Sequence, residues 1–145
     1  MANTEIIRDF RRRKLIFENY CVANGIRKAI CPSCGLPTLN ARAVFDYCFI
    51  CKWEDDGQDD PDADLVFGGP NGSLSLTDSR TRFGASVGNL DPNVSILYKP
   101  EKLVPLLLEW SEEFKQNKPV EPSEYVRYLD DFAQKKLEVF SKSTS

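Results

Sequence analysis

A chain of 145 residues, 41% hydrophobic and 11% aromatic, has the length and composition of a single folded domain with one modest core. No apolar run is long enough to span a bilayer, and the formal charge of −3 averages a basic front (Arg8, Arg11, Arg12, Arg13, Lys14, Arg27, Lys28) against an acidic block from Glu54 to Asp64. Histidine is absent altogether, which removes the commonest general acid or base and the usual partner of a nucleophilic serine or cysteine, so an enzyme is disfavoured from the outset.

The opening MANTEIIRDFRRRKLIF carries charge in its middle and has neither a long apolar stretch nor a small-residue cleavage site. It does not read as a secretory signal, and the expectation is a cytoplasmic protein whose thiols stay reduced. The spacing of Ile6, Phe10, Arg13, Phe17 and Tyr20 predicts an amphipathic helix over 4–23 with a basic outer face, and Gly25 suits the position just past its end.

Four of the five cysteines follow in two pairs, Cys31-Pro32-Ser33-Cys34 and Cys48-Phe49-Ile50-Cys51. Two residues between ligands let each pair form a tight knuckle, so Cys31, Cys34, Cys48 and Cys51 are read as ligands of a tetrahedral zinc ion. A redox pair or structural thiols are the alternatives, but a thioredoxin-like C-x-x-C belongs in a βαβ unit and none surrounds either pair. Four thiolates leave no open coordination position, so such a site folds the chain and does no chemistry. Cys21, within the first helix, reads as a buried free thiol.

Between the pairs, Ala43, Phe45, Tyr47 and Phe49 alternate with Val44, Asp46 and Cys48, a period-two pattern that predicts a strand. The acidic run after Trp53 places Asp60, Asp62 and Asp64 at the first three ligand positions of a calcium loop, yet Leu65 and Asn71 stand where that loop needs glycine and glutamate. Carboxylates that cap backbone amides and pair with arginines are the plainer reading. Ser75-Leu76-Thr77-Asp78 predicts a capping box opening a short helix that ends at Gly84, and Val94–Tyr98 reads as a short strand or an extended packing segment. Leu103, Leu107, Trp110 and Phe114, then Tyr125, Leu129, Phe132, Lys136 and Phe140, predict two helices in an antiparallel hairpin over 100–141, with Pro105 tolerable only in a first turn.

The combination Cys31-Pro32-Ser33-Cys34-Gly35, the second knuckle with Trp53-Glu54-Asp55-Asp56-Gly57-Gln58-Asp59, the turn Gly69-Pro70-Asn71-Gly72, and Ser75-Leu76 through Phe83-Gly84 resembles the cysteine-rich CPCC family over residues 29–85. The resemblance implies a small bacterial protein that binds zinc through paired cysteines, with Ser33 replacing the middle cysteine of the C-P-C-C motif. It also suggests, by association with small bacterial proteins of this kind, an immunity partner of a toxin.

The expected fold is therefore α+β: one domain over 1–145, with an N-terminal helix in 1–28, a zinc-ribbon-like β core in 29–85 and the C-terminal hairpin. The expected function is a non-enzymatic, zinc-stabilised module that binds another protein, with a toxin-neutralising immunity protein as its particular form. Asp55, Asp56, Asp59 and Asp60 would face that partner. The runner-up is a nucleic-acid-binding zinc ribbon using Arg11, Arg12 and Arg13 of the basic helix.

Overall fold

The structure, a computed structural model, describes residues 3–88, 91 and 93–142. Among the described residues there are four α-helices, α1 (Asn3–Ala23), α2 (Leu76–Val87), α3 (Pro100–Gln116) and α4 (Pro122–Lys142). Single 3₁₀ turns at Asp60–Asp62, Gly69–Asn71 and Ile96–Tyr98 join them. No helix among the described residues is long and apolar enough to cross a membrane.

Helix α1 buries Ile6, Phe10, Arg13, Phe17 and Cys21, one stripe at helical spacing. Its end is a Schellman turn: Gly25 takes φ +66° and the Ile26 N–H reaches back to the Cys21 carbonyl at 2.9 Å. Ser75 and Asp78 cap α2 reciprocally, each side chain accepting the other's backbone N–H at 3.0 Å.

Helix α2 runs past the expected stop at Gly84 because that glycine is a notch, not a cap. A Cβ there would collide with the Ile6 side chain, so its absence lets α1 and α2 approach closely, and the helix ends instead at Gly88, φ +70°. Pro105 falls in the second turn of α3, not the first, on an exposed face where the carbonyl it strands meets water. Helices α3 and α4 pack through an aromatic seam. Phe114 stacks on Tyr128 at 5.0 Å and meets Phe132 edge-on at 5.1 Å, Trp110 lies 6.3 Å from Phe140, and the Tyr128 hydroxyl donates to the Phe114 carbonyl at 2.7 Å. As the residue number rises on one helix it falls on the other, so the hairpin is antiparallel.

The expected β core does not form, and the fold is not α+β. No strand is present among the described residues, only two isolated antiparallel bridges, Ala29 with Leu39 and Tyr47 with Glu54. The period-two pattern at 43–49 misled because the backbone there turns: Ala43 and Phe45 take φ +60° and +59°, in the left-handed region. Both are pinned by Asp55, whose carboxylate accepts the Ala43 N–H at 2.8 Å and whose carbonyl accepts the Phe45 N–H at 3.0 Å. The second bridge finds no further strand beyond Glu54. The Asn71 side chain takes that place, accepting the Glu54 N–H at 3.0 Å and donating to its carbonyl at 2.7 Å. Val94–Tyr98 is likewise not a strand but a 3₁₀ turn capped by Ser95, which buries Leu97 and Tyr98.

Candidate metal centre

The two cysteine pairs build the same local shape twice. In the first, the Cys31 N–H donates to the Leu36 carbonyl at 2.8 Å and the Gly35 N–H to the Cys31 carbonyl at 2.9 Å. In the second, the Cys48 N–H donates to the Trp53 carbonyl and the Lys52 N–H to the Cys48 carbonyl, both at 2.9 Å. Each unit therefore runs Cys-x-x-Cys, a left-handed residue, then a fully buried apolar anchor. The left-handed residue is Gly35 at φ +79° in one and Lys52 at φ +72° in the other, and the anchors are Leu36 and Trp53. Glycine is required at 35, where a Cβ would press on the backbone of α1 at Phe10 and Lys14. Lysine at 52 has no such neighbour and bears the cost of the left-handed region instead.

These turns bring the four ligating atoms of Cys31, Cys34, Cys48 and Cys51 within 4.8 Å of one another, an arrangement that could hold a metal ion. The sulfurs of Cys31 and Cys51 are 3.6 Å apart and those of Cys34 and Cys48 3.7 Å. A disulfide needs about 2.05 Å, whereas sulfurs bound at about 2.3 Å to one tetrahedral ion lie about 3.8 Å apart. All five cysteines are free thiols, and Cys21 stands outside the cluster.

Further donors point at the sulfurs: Thr38 Oγ1 at 3.0 Å and the Cys51 N–H at 3.4 Å from Cys48 Sγ, and the Ser33 N–H at 3.4 Å from Cys31 Sγ. Burial pushes the Cys31 and Cys34 thiols well up, while Cys51, equally buried, is held well down by hydrogen bonds from the neighbouring thiols and Ser33. Four buried sulfurs crowded this closely can all ionise only around a cation that offsets their charge.

Guanidinium groups surround the knuckles. Arg13 donates through Nε to the Cys34 carbonyl at 2.7 Å, and Arg80 through Nε to the Pro32 carbonyl at 2.8 Å; each is 3% exposed. Arg82, on the exposed side, reaches the Cys51 carbonyl at 3.3 Å. The Arg80 guanidinium also lies 4.2 Å over the Phe10 ring, and Arg13 lies over Phe83 and Tyr98. Thus Arg13 turns inward, whereas Arg11 and Arg12 remain on the outer face of α1.

The acidic run is tied down residue by residue. Asp55 is fully buried, its carboxylate taking Arg42 Nε at 2.6 Å and the N–H groups of Ala43 and Gly57 at 2.8 and 3.1 Å. Asp59 caps the Asp60 N–H and pairs with Arg42 at 3.0 Å, which hold its carboxyl below the usual range against its partial burial. Asp60 pairs with Arg80 at 2.9 Å, and Asp56 accepts the Gln58 N–H at 3.1 Å. Gln58, also fully buried, donates to the carbonyls of Asp62 and Leu65. No three of these carboxylates converge on a common point among the described residues; the cysteine set alone does.

Sequence reasoning did not single out Arg42, Arg80, Gln58 or Thr38. Single residues of these types carry no spacing signal, and their partners include the carboxylates of Asp55, Asp59 and Asp60, the Pro32 carbonyl and the Cys48 sulfur, mostly remote in sequence. Ser33 was noticed as a departure, and its hydroxyl meets Ser79 Oγ at 2.6 Å, joining the first knuckle to α2.

A helical chain wrapped around two cysteine knuckles, with arginines on the knuckle carbonyls, is a cysteine-rich protein organised by its candidate metal centre. Residues 29–99 match the family model described as Cysteine-rich CPCC, and over that stretch the chain is similar to this family. The match runs beyond residue 85 to take in Tyr98, whose hydroxyl receives Arg13 Nη1 at 3.4 Å. No curated protein and no solved structure matches the chain.

Proposed function

We propose that the chain is a zinc-stabilised, non-enzymatic module that binds another protein in the cytoplasm, and that its particular role is that of an immunity protein neutralising a toxin by direct binding. The observation that carries this reading is closure of the cysteine cluster: its four residues are at most 5% exposed, and four sulfurs fill a tetrahedral shell. Neither water nor substrate has a place on such an ion. Tetrahedral sulfur suits zinc or iron, and zinc is redox-inert, as a purely structural role requires. Elemental analysis of the purified protein should find one zinc per chain; iron, or no metal, would refute the assignment.

Function then falls to the surface. Leu65, Val66 and Phe67 are each more than half exposed in one consecutive run, next to the exposed Asp60 and Asp64, an apolar patch with an acidic margin. Asp55 is buried and Asp59 is held by Arg42; Asp60 and Asp64, each with one internal partner but exposed, and the half-buried Asp56 are the carboxylates better placed to face a partner. Affinity purification from the native cell with mass spectrometry tests the reading. One stable protein partner is expected, with binding lost on charge reversal at Asp56 and Asp60; no partner at all would sink it.

The second reading, nucleic-acid binding, keeps support from Arg8, Arg11 and Arg12, all exposed on α1. Phosphate binding of this kind weakens steeply with salt, and alanine at Arg11 and Arg12 should flatten the slope. Absence of binding to DNA or RNA at low salt eliminates it.

A further inference from the structure

An open cleft of about 310 Å³ lies between the second knuckle and the turn that starts α4. Tyr47 and Tyr125 wall it, their ring centroids 4.9 Å apart and tilted by 47°. Its rim carries Val120, 95% exposed, and Val126, 62% exposed. Both valines line the cleft together with the two tyrosines and keep most of their surface in water.

The charged groups that act on Tyr47 and Tyr125 are acidic, with one exception, a cation over a ring. The Glu54 carboxylate stands beside the Tyr47 hydroxyl, and Asp46 and Glu54 are both close enough to act on Tyr125. The exception is Lys118, whose Nζ sits 4.9 Å over the centre of the Tyr125 ring. A cation over a tyrosine face with carboxylates behind it is how proteins hold ammonium and guanidinium groups. Here the chain's own lysine holds that place, on an exposed and flexible stem.

We propose that this cleft receives an arginine side chain of the partner protein, with Lys118 as the internal cation that swings off the Tyr125 ring when the arginine enters. A guanidinium suits the site better than an ammonium, because it stacks flat on a ring and still offers N–H groups to a carboxylate at its edge. The aliphatic stem of the incoming residue covers Val120 and Val126. The inference rests on the protein-binding reading and gives it a recognition element outside the Leu65–Phe67 patch.

The test is an NMR titration of the zinc-loaded full-length protein with the peptide acetyl-Gly-Arg-Gly-amide, following the resonances of Tyr125 and Val126. The same peptide with citrulline, which keeps the shape and loses the charge, is the control. Saturable shifts with the arginine peptide alone are expected. Lys118→Met should tighten binding about threefold by removing the competing cation, whereas Lys115→Met, which removes a charge elsewhere on the hairpin, should change it by much less. Tyr125→Leu and Glu54→Gln should each weaken it about threefold, the size of one exposed cation–π contact. Equal binding of the citrulline peptide, or a Lys118→Met protein that binds no more tightly, overturns the inference even if Tyr125→Leu disturbs the hairpin. A protein partner captured with undiminished affinity by a Glu54→Gln, Tyr125→Leu protein overturns the cleft's role while leaving the protein-binding reading intact.

Discussion

Arg80→Met is the sharpest test of how the knuckles are held. Methionine keeps most of the buried apolar volume, so the loss isolates the guanidinium. The Pro32 carbonyl, inside a buried knuckle, forfeits a charged donor at 2.8 Å, and an orphaned buried acceptor costs about 1–3 kcal/mol. The contact 4.2 Å over Phe10 is desolvated and contributes up to about 2 kcal/mol. The ion pair to Asp60 adds little, because that carboxylate is half in water. The sum is about 1–5 kcal/mol, whose upper end is a large share of the roughly 5–15 kcal/mol of a whole domain. Urea denaturation of the metal-loaded protein, followed by fluorescence of the buried Trp53 and Trp110, reads it directly. Arg82→Met is the internal reference, since its 3.3 Å bond lies on the exposed side, and it should cost less than about 1 kcal/mol. If Arg80→Met costs as little as Arg82→Met, the idea that buried guanidiniums brace the knuckle is wrong.

Three further outcomes follow from particular residues. Lys52→Gly should raise stability by about 0.5–1 kcal/mol in the same melts, because glycine relieves the left-handed backbone and only a half-exposed pair with Asp130 is lost; a loss of stability would count against it. Gly84→Ala should cost about 1–3 kcal/mol through the clash with Ile6, and pairing it with Ile6→Ala should recover part of that in a double-mutant cycle. Burial chiefly, and the nearby Tyr47, Asp46 and Glu54, push the Tyr125 hydroxyl up. Its contribution is therefore fully present below the ordinary tyrosine value of about 10 and is lost as pH rises from there through the folded value. Tyr125→Phe should flatten the fall in stability above pH ~10, and an unchanged alkaline slope would show that another group governs it.

The cysteine set was legible because ligand spacing is a local code: Cys31 to Cys34 and Cys48 to Cys51 declare two knuckles whatever lies between them. The helices were legible where one face is apolar, as at Phe10 and Phe17 or Leu103 and Leu107. The β core was not, because alternation at 43–49 arises from a loop folded around the Asp55 carboxylate, and a single sequence cannot distinguish a side chain that organises a turn from one that faces solvent. Gly84 failed for a related reason. A glycine that ends a helix and one that admits a neighbouring helix look alike until the neighbour is known. Arg13 sat on the predicted buried stripe of α1 and was still counted with the basic face, although the stripe itself held the clue.

The bond from Arg13 to the Cys34 carbonyl, with Gly35 pressed against the backbone of α1, makes one mechanical piece of the first knuckle and the helix bearing Arg11 and Arg12. Ion occupancy and the seating of that helix are thereby two readouts of a single equilibrium. By reciprocity, any ligand that engages the outer face of α1 only in its docked position tightens an ion in the cluster by the same free energy with which that ion tightens the ligand. A metal ion held by the four sulfurs would therefore also fix how firmly the surface on the far side of α1 is presented.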